Sequence, residues 1–183
     1  VRVLFVIYLL FIGTLALLAQ MILPVHFPLL NVLGFSSGLI PLVVIYASLE
    51  LGDAWAILVA GILGLLVDLA SSHRMGTSVL ILCVLSALIV TQAHKPESHY
   101  WLFRLTFVLV GTFAYLLLDY LFILMETMRW SWPLAVWSKI AFASFLNLFL
   151  TPFFFYLVGL PLRLCGWKPS YVQADRYQAY PYA

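Results

Sequence analysis

Residues 61–76 read GILGLLVDLASSHRMG, and this stretch holds chemistry that the apolar sequence around it lacks. Asp68 is followed by Ser71, Ser72, His73 and Arg74, and Gly76 closes the run. A carboxylate beside hydroxyls, an imidazole and a guanidinium can serve nucleophilic catalysis, an ion relay or a hydrogen-bonded corner. Spacing weighs against the first. Ser72 and His73 are sequence neighbours, so their side chains diverge rather than pair. No G-x-S-x-G, phosphate loop or dinucleotide fingerprint occurs in the chain. The histidines His26, His73, His94 and His99 include no pair four apart around a glutamate, and His94 and His99 fall in a polar stretch with Lys95 and Glu97. Cys83 and Cys165 have no metal spacing and read as small apolar fillers. No enzyme activity, metal or other cofactor is expected.

Helical spacing gives the stretch a different sense. At about 100° per residue, Gly61, Gly64, Asp68 and Ser72 share one stripe if the helix persists that far. Ile62, Leu66 and Ala70 fall on other faces. Glycines on a stripe let a second backbone approach closely, which is how helices associate in lipid. Ser71, Ser72 and the backbone N–H groups entering the next helix can donate to Asp68, and Arg74 can pair with it. Gly76 permits a tight turn before a helix capped by Thr77 or Ser78. The structural reading is a helix–turn–helix corner pinned by one acid. The functional reading makes the same stripe a docking face for another membrane protein, and the two are compatible. A relay needs several polar groups in line. Asp119 shares a stripe with Thr112, Tyr115 and Glu126, and Ser144, Asn147 and Thr151 lie on the last helix, so Tyr115, Asp119 and Asn147 are candidates for a polar seam.

The elements that position these residues follow from composition. Of 183 residues, 65% are hydrophobic and 9% charged, against roughly 25% charged in soluble domains, and the mean hydropathy is +1.10. Such a chain belongs in a bilayer. A formal net charge of +2 gives no reason to expect a nucleic-acid partner. The apolar run at 3–23 exceeds the roughly 7–15 residues of a signal-peptide core and ends in Met-Ile-Leu-Pro, so a retained spanning helix is expected. Further helices are expected at 36–49, short and interrupted by Pro41, and at 54–70, 77–93, 102–125 and 134–162. The apolar connector 24–35 lies between the first two. Residues 1–163 thus form an all-α, six-transmembrane-helix domain, and 164–183 an aromatic, basic tail. With both termini in the cytoplasm, Arg2, Lys95, Arg104, Arg163, Lys168 and Arg176 fall inside and Arg74, Arg129 and Lys139 outside, as basic residues prefer.

The stretch from Pro41 to Ile89 has a proline-led short helix, a polar turn, then G-x-x-G-L-x-x-D and a glycine eight residues past the acid. In Gly61, Gly64, Leu65, Asp68 and Gly76 it resembles the rod shape-determining protein MreD family. NLFLTPFFFYL, with Asn147 and Pro152, is similar to that family's last helix. The family often has an acid where Leu42 stands, and the aromatic tail is longer than usual. The resemblance implies a fold similar to the six-helix substrate-binding subunit of energy-coupling-factor transporters. It also implies a non-enzymatic subunit of the bacterial elongation machinery in the inner membrane. Its implied partners are MreC, most directly, with RodA, a class B penicillin-binding transpeptidase and MreB in the same assembly, and membrane lipid around it. Gly61, Gly64, Asp68, Ser72, Arg74 and Gly76 would then lie at a helix-packing or partner interface. The alternative is a transport subunit that binds a small vitamin from outside, with the connector 24–35 as its lid.

Overall fold

A computed structural model describes residues 2–26, 38–51, 54–71, 76–93, 101–127 and 133–164, and among these the chain is entirely helical. Six helices follow one another: α1 (Arg2–His26), α2 (Leu39–Leu51), α3 (Ala54–Ala70), α4 (Thr77–Ala93), α5 (Trp101–Thr127) and α6 (Leu134–Leu164). Three contain stretches long and apolar enough to cross a membrane: Arg2–Ile22, Trp101–Met125 and Val136–Leu160. The other three have 13, 17 and 17 residues, or roughly 20–25 Å at 1.5 Å per residue. That is short of a hydrocarbon core about 30 Å thick.

The shortest helix is the centre of the molecule. Every residue of α2 from Ile40 to Leu51 is buried, and α2 touches each of the other five helices. Its sequence, LIPLVVIYASLEL, is apolar on all sides, and a helix without a polar face is stable only when surrounded. Pro41 does not interrupt it, contrary to the sequence expectation. The helix starts at Leu39, so Pro41 sits in the first turn, where backbone N–H groups have no intrahelical acceptor and a missing one costs nothing. α1 and α6 likewise run on past the expected ends, to His26 and Leu164.

Around α2, the α3–α4 hairpin and the α5–α6 pair form the most extensive contacts. Polar groups tie α2 into this shell at both of its ends. Near its start, the Gln20 amide of α1, assigned with its oxygen toward α2, accepts from the Gly38, Leu39 and Ile40 N–H groups, while Asn147 of α6 donates to the Gly38 carbonyl. Where its last turn begins, the Ser48 hydroxyl meets Ser86 of α4 at 2.9 Å. Near its end, Glu50 pairs with Arg104 of α5 at 3.1 Å.

Candidate functional site

Of the residues singled out by spacing, Gly64, Asp68 and Gly76 converge where α3 hands over to α4. Leu80 N–H donates to the Gly76 carbonyl at 3.0 Å, which makes Gly76 the residue that opens α4. Neither Thr77 nor Ser78, the expected caps, holds that place. The N–H groups two and three residues into a helix are usually served by the side chain of the opening residue, and glycine has none. Glycine is required there all the same, because Gly76 has φ of 103°, a left-handed conformation that carries strain for other residues.

Asp68, in the last turn of α3, supplies the missing cap. Its Oδ2 accepts from Gly76 N–H at 2.7 Å and Oδ1 from Ser78 N–H at 3.0 Å. Val79 N–H approaches Oδ2 more loosely, at 3.5 Å. The Asp68 residue is 2% exposed. An anion against unpaired N–H groups at a helix start is stabilised both by charge-assisted hydrogen bonds and by the helix dipole. The Ser78 hydroxyl is left to hydrogen-bond with Tyr115 of α5, a buried residue.

Gly64 explains how close the hairpin is. A Cβ on Gly64 would stand 2.6 Å from the Val79 Cα and 2.9 Å from its nitrogen, backbone atoms that cannot swing aside. Gly61, expected to share this role, does not. A Cβ there would meet only the Cys83 Sγ, at 3.5 Å, an ordinary contact. Leu65 points outward and Ile62 is partly exposed, while Leu66 is half-buried. Ser72 and Arg74 lie outside the described residues, as do residues 27–35 of the expected connector 24–35, whose first three residues belong to α1, and the tail from 165 on; so do His73, His94 and His99.

Of the seam candidates, Tyr115 is buried on α5 and Asn147 engages the start of α2. Thr112, Ser144 and Thr151 each donate to a carbonyl four residues back on their own helices. Two features escape a reading of the sequence. Gln20 is an inconspicuous amide near the end of an apolar run. Glu50 and Arg104 read as a turn marker and a membrane-edge charge, and they are one ion pair between a buried acid and a half-buried guanidinium. Among the described residues no group of three or more His, Cys, Asp or Glu side chains can hold a metal.

Among the described residues the architecture is entirely helical, and three helices long and apolar enough to cross a membrane give it the character of a membrane protein. Compared with protein-family models, with curated proteins and with solved structures, the chain finds no match.

Proposed function

We propose that the chain is a non-enzymatic membrane subunit of the bacterial cell-elongation complex, an MreD-like scaffold that binds MreC and supports peptidoglycan synthesis and rod shape. The observation that carries this reading is the use made of Asp68. Of the residues on which the resemblance rests, Gly64, Asp68 and Gly76 act together at one corner, and the acid has both oxygens on backbone N–H groups. A carboxylate so engaged fixes a surface rather than abstracting protons. In this reading all six helices cross the inner membrane, α2 within a shell that compensates for its length. The Glu50–Arg104 end of α2 faces the cytoplasm with both termini, and the Asp68 corner faces outward. RodA, the transpeptidase and MreB join through the assembly.

The test is recovery of partners. The tagged chain is purified from native membranes in mild detergent, and the proteins that accompany it are identified by mass spectrometry, for the natural sequence and for Asp68→Ala. MreC with RodA or the transpeptidase is the expected result, reduced in the variant. An ATPase pair with a coupling subunit would overturn the scaffold reading and assign transport.

A further inference from the structure

The helices end level on one side of the bundle and at different heights on the other. On the level side, Glu50 in the last turn of α2 pairs with Arg104 in the first turn of α5. The Tyr8 hydroxyl, near the start of α1, donates to the Val158 carbonyl near the end of α6 at 3.4 Å. On the other side the short helices stop together. Ser48 and Ser86 are in contact, and each stands equally far from the start of its helix, Leu39 or Thr77, so α2 and α4 start level. Asp68 ties the end of α3 to the same height through Gly76 and Ser78.

The long helices run past that height. Gln20 and Asn147 meet the first residues of α2, yet α1 continues to His26 and α6 begins back at Leu134. Tyr115 meets Ser78 at the start of α4, yet α5 continues to Thr127. At 1.5 Å per residue the overshoot is about 9 Å for α1, 18 Å for α5 and 20 Å for α6.

This step lies where α3 and α4 turn apolar side chains outward, among them Leu58, Ile62 and Leu65 on α3 and Leu80, Val84 and Leu88 on α4. Unlike α2, neither helix is wrapped by others. Charged residues bracket both in the sequence: Asp53 precedes α3, Arg74 separates the two, and Lys95 follows α4. Neither can borrow apolar length from its flanks. Each offers roughly 25 Å against a hydrocarbon core about 30 Å thick. A helix too long for the bilayer can tilt, whereas tilt makes a short one shorter still, so beside a short helix the lipid gives way.

We propose that the bilayer is thinned beside the α3–α4 hairpin, in the leaflet at the Asp68 corner, and keeps its full thickness around α6. The partner this face fits is a lipid annulus of short or disordered acyl chains. The helices are level at the opposite end, so the shortfall falls on the one leaflet. It brings lipid phosphates down to the Asp68 corner. The proposal rests on the six-span reading and is independent of which complex the chain serves.

Leu69 adjoins the end of α3 and Phe149 lies just past Asn147, so both stand close to the height at which α2 starts. They are 66% and 69% exposed, on different sides of the bundle, and each tolerates a label. A flat bilayer holds labels at these positions at one depth, and a thinned one does not. Nitroxides are attached through Leu69→Cys or Phe149→Cys in the full chain carrying Cys83→Ala and Cys165→Ala. The protein is reconstituted in dioleoyl phosphatidylcholine, and depth is read by power-saturation electron paramagnetic resonance with oxygen against a nickel chelate. The Leu69 label is expected about 5 Å nearer the phosphates than the Phe149 label. The gap should widen in dierucoyl phosphatidylcholine, whose chains are longer. Equal depths in both lipids would overturn the proposal and leave the six-span reading intact. The spans are tested separately by a membrane-impermeant maleimide on Gly52→Cys, Ser72→Cys and Glu97→Cys in sealed native vesicles. Ser72→Cys is expected to react from the side opposite to the other two. Reaction of all three from one side would overturn the six-span reading, and the proposal with it.

Discussion

Asp68→Asn keeps the size of the side chain but removes its charge and one of its acceptors. The two oxygens of Asp68 serve Gly76 and Ser78 N–H groups on different sides of the carboxylate. Whichever way the asparagine amide turns, its NH2 group faces a backbone N–H, and that N–H loses its acceptor. Hydrogen bonds to charged groups contribute about 1.5–3 kcal/mol, and a buried polar group left unsatisfied costs roughly 1–3 kcal/mol. At 2% exposure water cannot replace the lost partner. The expected loss is therefore on the order of 2–4 kcal/mol, which includes a smaller helix-dipole contribution. Reversible unfolding in mixed micelles, titrated with a denaturing detergent, measures it. Gly76→Ala, which forces alanine to the left-handed conformation, should cost about 1–2 kcal/mol alone. Because both changes strike the same cap, the double variant should lose less than the sum. An Asp68→Asn protein within about 0.5 kcal/mol of the natural one, the range of changes away from any special feature, would refute the capping argument. So would strict additivity with Gly76→Ala.

The other glycines and polar ties make distinct predictions. Gly64→Ala should sharply lower abundance and melting temperature because its Cβ would collide with Val79 backbone, whereas Gly61→Ala, with only ordinary contact, should be neutral or gain up to about 1 kcal/mol from helix propensity in the same assay. Removing one partner of the part-buried Glu50–Arg104 pair, by Glu50→Gln or Arg104→Gln, should cost about 1.5–3 kcal/mol in micelle unfolding. The exchanged pair, Glu50→Arg with Arg104→Glu, should recover most of that loss. Glu50 lies in the last turn of α2 and Arg104 in the first turn of α5, each unfavourable to its own helix dipole, so the exchange also aligns both charges with the dipoles. Gln20→Leu should cost about 1–3 kcal/mol by uncapping α2, and hydrogen exchange at Leu39 and Ile40 should accelerate.

The helices were legible in the sequence because apolar run length and polar punctuation are local properties. The expected 54–70 and 77–93 coincide with Ala54–Ala70 and Thr77–Ala93. The corner at Asp68 was legible too, since an acid beside small residues inside oil has few uses. Depth in the bundle was not. The centrality of α2 depends on five other helices meeting around it, whereas its short length alone suggests a marginal element. The difference between Gly61 and Gly64 was equally hidden. Both lie on one stripe, but of the two only Gly64 is approached by α4 closely enough to exclude a methyl group. Gln20 and the Glu50–Arg104 pair act between different helices, which no local spacing encodes.

The burial of α2 bears on how the molecule is built. Synthesis delivers α2 second, when only α1 is present to cover it, and the helices that complete its surroundings follow later. Until α5 arrives, Glu50 has no guanidinium from Arg104, and until α6 arrives the opening turn of α2 lacks Asn147. A helix about 20 Å long with an acid near its end does not partition into lipid on its own merits. In the six-span reading proposed above, stable insertion of the second helix must therefore await the fifth and sixth. A chain halted between α4 and α5 would hold that segment out of its final place, and prompt degradation by membrane proteases would follow.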